Sequence, residues 1–83
     1  MHTNFHSPNY KRIMKSFLNH RTNSYVILEK ETLIPRTNLG NYLTKLLNRK
    51  FLTKKKVGKR VFYTLTDKGF TEFNYHINGV VFS

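Results

Sequence analysis

Between positions 36 and 60 the chain places nine basic residues, Arg36, Lys45, Arg49, Lys50, Lys54, Lys55, Lys56, Lys59 and Arg60, and not one Asp or Glu. Two kinds of chemistry are available within that stretch. Arg36, Thr37, Asn41, Thr44 and Lys45 combine a guanidinium fork, an amide, two hydroxyls and an ammonium, the groups that pair with donors and acceptors on base edges. Lys54, Lys55, Lys56, Lys59 and Arg60 crowd around Gly58 and supply charge suited to phosphate. Over all 83 residues, 15 Lys and Arg against 4 Asp and Glu give a net charge of +11, which calls for a polyanionic partner. A basic surface kept only for solubility would intersperse both signs.

Other chemistries find little to work with. The acids Glu29, Glu31, Asp67 and Glu72 fall in two regions with no pairing that suggests a metal-dependent nuclease. There is no cysteine, and His2, His6, His20 and His76 are dispersed. Neither a Gly-rich phosphate loop nor a nucleophile motif is present. The expectation is a binding protein rather than an enzyme, without cofactor or metal. No long uninterrupted apolar run occurs, and MHTNFHSP lacks the apolar segment of a secretory signal. A soluble, cytoplasmic, nucleoid-associated protein with no membrane partner is therefore expected.

The elements that must position these residues can be read in order. Residues 1–83 are short enough for one domain, with residues 1–6 as a flexible tail. Ser7-Pro8 suits a helix start, and Tyr10, Ile13, Met14, Phe17 and Leu18 recur at helical spacing, giving a helix from about Pro8 to Asn19. NHRTNS reads as a turn. SYVILEKET fits a strand or a short helix capped by Ser24, and the helix is the reading adopted. A tight turn at Leu33-Ile34 leads to a third helix beginning near Pro35. Its spacing gathers Leu39, Tyr42, Leu43, Leu46 and Leu47 on one side and Thr37, Asn41, Thr44, Lys45 and Asn48 on the other. Gly40 costs that helix about 1 kcal/mol against Ala, and packing against the second helix is favoured over close approach to a ligand as its reason.

Strands follow, from Phe51-Leu52-Thr53 and from Arg60 to Leu65, joined at Gly58. Val61, Tyr63 and Leu65 fall on one face of the second strand and Arg60, Phe62 and Thr64 on the other. The lysine-rich tip has no apolar partner except Val57 and should project. Thr66-Asp67 starts a last helix carrying Phe70, Phe73 and Ile77. After Gly79 the apolar Val80, Val81 and Phe82 either fold back on the core or pack against a second subunit.

Helix, helix, turn, helix, basic hairpin, helix is the order of a winged helix-turn-helix. IPRTNLGNYLTKLLNRKFLTKKKVGKRVFYTLTDKG, residues 34–69, resembles the recognition helix and wing of small stand-alone winged-helix transcriptional regulators, a type common in archaea and their viruses and plasmids. The family's apolar residue, Leu-x-x-Leu pair and Gly-Leu-Ile exit correspond here to Leu39, Leu43 with Leu46, and Lys50-Phe51-Leu52. Lys50 in place of Gly implies either a slightly strained helix end or a different exit from the helix. The family's aromatic pair followed by Leu-Thr-x-x-Gly is similar to Phe62-Tyr63, Leu65-Thr66 and Gly69. The likeness is close over about half the chain and looser over most of the rest.

The resemblance implies an α+β, mostly α fold with three helices, a two-stranded β-hairpin wing and a C-terminal helix. It also implies a sequence-specific regulator of transcription that binds double-stranded DNA, with Arg36, Thr37, Asn41, Thr44 and Lys45 reading bases. Lys54, Lys55, Lys56, Lys59 and Arg60 would then hold phosphates or enter the minor groove. A homodimer through the first and last helices (Phe73, Ile77, Val80, Val81, Phe82) would span two half-sites, although completing the monomer core is the preferred role for Phe70 and Phe73. The competing reading is a sequence-independent architectural DNA-binding protein. No small-molecule ligand is evident from the sequence.

Overall fold

The computed structural model describes residues 7–79. The expected tail at residues 1–6 and the apolar Val80, Val81 and Phe82 lie outside the described residues. Four helices and three strands follow in the order α1 (Pro8–Asn19), β1 (Thr22–Ser24), α2 (Tyr25–Thr32), α3 (Arg36–Asn48), β2 (Leu52–Val57), β3 (Arg60–Leu65) and α4 (Asp67–Asn78). Among the described residues no helix is long and apolar enough to cross a membrane.

Local chemistry sets most boundaries. The Ser7 hydroxyl accepts the Tyr10 N–H with Pro8 in the first turn, and the Ser24 hydroxyl accepts the Ile27 N–H at 3.3 Å. The ambiguous SYVILEKET stretch is thus resolved as a helix by its cap. Pro35 leads into α3 without a side-chain cap. Gly58, at φ 61°, takes the first central position of a two-residue hairpin turn, where a type II′ turn demands glycine.

The strand β1 departs from expectation. TNS was read as turn, yet it adds a third strand to the wing, in the antiparallel order β1-β3-β2. Thr22, Asn23 and Ser24 pair with Thr64, Tyr63 and Phe62. The pairing is non-local, which is why three polar residues carry no strand signal of their own. Asn23 is buried and donates its amide to the His20 carbonyl at 2.7 Å, while the Thr22 and Thr64 hydroxyls meet at 3.1 Å.

The core draws on every helix. Tyr10, Ile13, Met14 and Phe17 of α1 meet Leu28 of α2, Leu39, Leu43 and Leu46 of α3, and Phe73 of α4, with Ile34, Phe51, Leu52, Tyr63 and Leu65 filling between them. Phe73 is fully buried, its ring 6.0 Å from Phe51 and 6.4 Å from Phe17. This corrects its proposed place on a dimer surface, because a ring that fills the monomer core has no area left for a partner. Phe70 moves the other way: it reaches the surface, where the Arg21 guanidinium lies 5.6 Å from its ring centroid.

Two junctions carry strain or close approach. At the exit of α3, Lys50 N–H bonds the Leu47 carbonyl at 2.9 Å and Phe51 N–H bonds the Leu46 carbonyl at 3.1 Å, a Schellman pair with Lys50 at φ 62°. Of the two readings of Lys50, the strained helix end is the one observed. At Gly69 a Cβ would stand 2.1 Å from the Phe51 carbonyl oxygen. Gly69→Ala should accordingly lower stability by about 3 kcal/mol in urea unfolding. Lys50→Gly should raise it by about 1 kcal/mol, seen as a higher urea midpoint at unchanged slope.

Candidate nucleic-acid interface

Helix α3 is held on both flanks by tyrosines. On the α1 side, Asn9 donates its amide to the Tyr42 hydroxyl at 2.9 Å, and the Tyr10 and Tyr42 rings meet edge to face at 4.7 Å. On the α2 side, the Tyr25 hydroxyl donates to the Arg36 carbonyl at the start of α3. A Cβ on Gly40 would come within 3.2 Å of that same hydroxyl. Packing against α2 therefore accounts for the helical glycine. Burial raises the Tyr25 pKa above its ordinary value and Glu29 adds to the rise, while Arg36 and the Gly40 backbone oppose it. The phenol stays protonated, as a donor to the Arg36 carbonyl must be.

With its core face so anchored, α3 turns Thr37, Asn41, Thr44 and Lys45 to solvent, together with Asn38 and Asn48. No acid lies on that helix. Thr44 donates its hydroxyl to the Gly40 carbonyl at 2.9 Å, which leaves its methyl and an acceptor lone pair facing outward. Arg36 stands apart from this group. Its guanidinium lies 5.6 Å from the Tyr25 ring centroid and its Nε 3.9 Å from Glu29, on the side of α3 toward α2. The ion pair is exposed and weak, so the guanidinium is free to exchange partners. Asn38 was missed as an outward residue, although its place beside Thr37 and Asn41 was visible in the helical spacing.

The wing lysines do not form one patch. Lys54 pairs with Tyr63 and Lys56 with Val61 on the side of the sheet that carries the core residues, whereas Lys55 pairs with Phe62 on the opposite side. Strand alternation requires that division. Lys59 sits in the turn, and Arg60 faces Val57 at the strand end. All five cations are exposed.

Where the inner side of the wing leaves the core it faces α2 and the start of α3 across a cleft of about 560 Å³. Arg36, Lys54, Lys59 and Arg60 reach this cleft, so it joins one expected base-reading residue to three expected wing residues. Tyr25, Val26, Ile27, Val61 and Tyr63 also line it. Nothing in the order of the sequence brings α2 to the wing, and the cleft was not foreseen. Burial also raises the Tyr63 pKa, with Tyr25 adding to the effect. Among the described residues no group of three His, Cys, Asp or Glu side chains is placed to hold a metal.

No protein-family model matches the chain, and no curated protein matches it. Among solved structures, the crystal structure of NadR in complex with 4-hydroxyphenylacetate superimposes with a TM-score of 0.77 at 24% sequence identity. The match covers 88% of this chain and 53% of NadR, so the chain spans about half the length of that protein. NadR is a winged-helix transcriptional regulator of the MarR family. The order of four helices, the three-stranded antiparallel sheet and this superposition together show that the chain has the winged-helix fold.

Proposed function

We propose that this chain is a sequence-specific double-stranded DNA-binding regulator of transcription, with α3 in the major groove and the basic wing on phosphates and the adjacent minor groove. The observation that carries the reading is the outward face of α3. It presents Thr37, Asn41, Thr44 and Lys45 beside a wing of Lys54, Lys55, Lys56, Lys59 and Arg60, with no carboxylate on either element. Amide and hydroxyl groups at helical spacing suit base edges, and projecting lysines suit phosphates. The likeness to a winged-helix regulator supports the same reading.

Arg36 takes a different role from the other four. Held over Tyr25, it contacts the backbone beside the groove rather than a base. Lys55 and Lys54, on opposite sides of the wing, reach different phosphates. The protein acts at the chromosome in the cytoplasm, by binding and not by catalysis. It works as a dimer through α1 and α4, with Ile77 and exposed Tyr75 replacing Phe73 in the contact.

Titration of cognate and random duplexes against salt tests the reading, alongside the protein's mass in solution. Log affinity should fall linearly with log salt for every duplex, while a cognate site keeps an advantage at physiological salt. Equal affinity for all duplexes would mark an architectural protein instead, and a monomeric mass on a two-half-site duplex would remove the dimer. Asn41→Ala should cost the cognate duplex about 1–3 kcal/mol and relax discrimination. Lys55→Ala should weaken all duplexes alike and reduce the salt slope by about 1.

A further inference from the structure

The wing sheet has a second face, turned away from the core. Across its three strands Thr22, Thr64 and Thr53 form one row, and Ser24, Phe62 and Lys55 form the next. None of these six is buried, whereas Asn23, Leu52, Tyr63 and Leu65 on the opposite face all are. Phe62 is the unusual member. It is half-buried in the central strand, yet it belongs neither to the core nor to the partly buried side chains packed against the core. Val57, 53% exposed, stands diagonally from it on β2, two residues along from Lys55. An apolar strip with a cation set into it thus lies open on the outside of the wing.

A duplex has little use for such a strip, because its bases stack on one another and turn only edges and phosphates outward. An unpaired strand exposes the faces of its bases, and an aromatic ring beside a cation offers stacking and a phosphate contact together. Lys55 pairs directly with Phe62, so ring and ammonium share one row. No Asp or Glu lies on any of the three strands to repel a phosphate. The threonine row is engaged within itself: the Thr22 and Thr64 hydroxyls meet at 3.1 Å, and Thr53 donates to the Thr64 carbonyl at 3.5 Å. That row is therefore no dedicated reader of a ribose 2′-hydroxyl.

We propose that the outer face of the wing sheet binds single-stranded DNA, with a base stacked on Phe62 beside Val57 and the adjoining phosphates on Lys55 and the cations of the wing tip. The choice of DNA over RNA rests on the duplex-binding reading, because Lys55 joins this face to the proposed duplex surface and a strand opened from that duplex lies next to it. The stacking site does not rest on that reading.

The test is an anisotropy and NMR titration of the full chain with labelled strands of about 12 nucleotides, namely oligothymidylate, oligouridylate and an abasic deoxyribose strand of equal charge. Oligothymidylate should bind at least about tenfold more tightly than the abasic strand, which keeps the phosphates and lacks the bases. It should shift the Phe62 ring and the Val57 methyl resonances saturably. Phe62→Leu keeps an apolar side chain of similar bulk and removes the π face, and should weaken oligothymidylate by about tenfold. Phe62→Tyr should restore it, and both variants should bind a duplex as the parent chain does. Equal affinity for the abasic strand, undiminished binding by Phe62→Leu, or shifts confined to α3 and the cleft would overturn the site. Tighter binding of oligouridylate would overturn the assignment to DNA, and displacement by polyglutamate at equal charge would reduce the face to a general anion surface. A labelled duplex then separates the two readings. Base-dependent single-strand binding by a protein that binds no duplex keeps the site and removes the duplex reading. Duplex binding with no base-dependent binding of single strands removes the site alone.

Discussion

The first turn of α4 lies so close to the exit from α3 that a single methyl group would not fit between them. Gly69 leaves that space, and Thr66 fills the bonds around it. The Thr66 N–H donates to the Phe51 carbonyl at 3.0 Å, while its hydroxyl donates to the Lys50 carbonyl at 2.8 Å and accepts the Gly69 N–H at 3.0 Å. One residue thus caps α4, satisfies a carbonyl at the end of α3 and closes the base of β3. The consequence reaches the surface: with the end of α3 and the base of the wing tied to a common point, their relative placement is set by backbone contact. Side-chain packing of Phe73 against Phe51 and Phe17 then supports the same junction from within.

The other end of α3 is fixed by polar contacts. Tyr25 ties its first turn to α2, and Thr32 completes the connection by donating to the Leu28 carbonyl at 2.6 Å while its oxygen receives the Ile34 N–H at 3.4 Å. Thr32 is buried, so these bonds are what make a polar residue tolerable inside the helix-turn-helix. The turn itself places Leu33 at φ 58° with 79% of its surface exposed, a costly backbone state for a leucine. Helix α3 and the wing are therefore positioned by two clamps of different chemistry, one a close backbone approach and one a pair of hydroxyls.

Charge follows from this frame. Three acids are used away from α3 and the wing strands: Asp67 pairs with Arg21 at 3.1 Å, Glu72 approaches His76 at 3.6 Å and Glu31 accepts the Ser16 hydroxyl, whereas Glu29 lies near Arg36 at the start of α3. Each contact is modest, since most of these groups are exposed. The four acids sit on α2 and α4, so α3 and the wing strands carry central cations and no carboxylate of their own. The wing divides its cations between two sheet faces, one of which closes the cleft.

Much of this was legible in the residues themselves. Ser7-Pro8, Ser24 and Thr66 announce helix starts because capping is local chemistry, and Gly58 announces the hairpin turn because only glycine takes that conformation cheaply. The leucine spacing of α3 separated its buried face from Thr37, Asn41, Thr44 and Lys45 without any tertiary information. What only the tertiary structure decided depends on partners distant in the chain. β1 exists because β3 supplies its hydrogen bonds, and the separation of buried Phe73 from surface Phe70 depends on where α4 meets α1 and the Phe51 turn. The alternation of Lys54, Lys55 and Lys56 was implicit in the strand, but the meaning of the inner face required α2 and Arg36 to be placed across from it. Periodicity reports which way a side chain points from its own element, and only packing between elements determines what it faces.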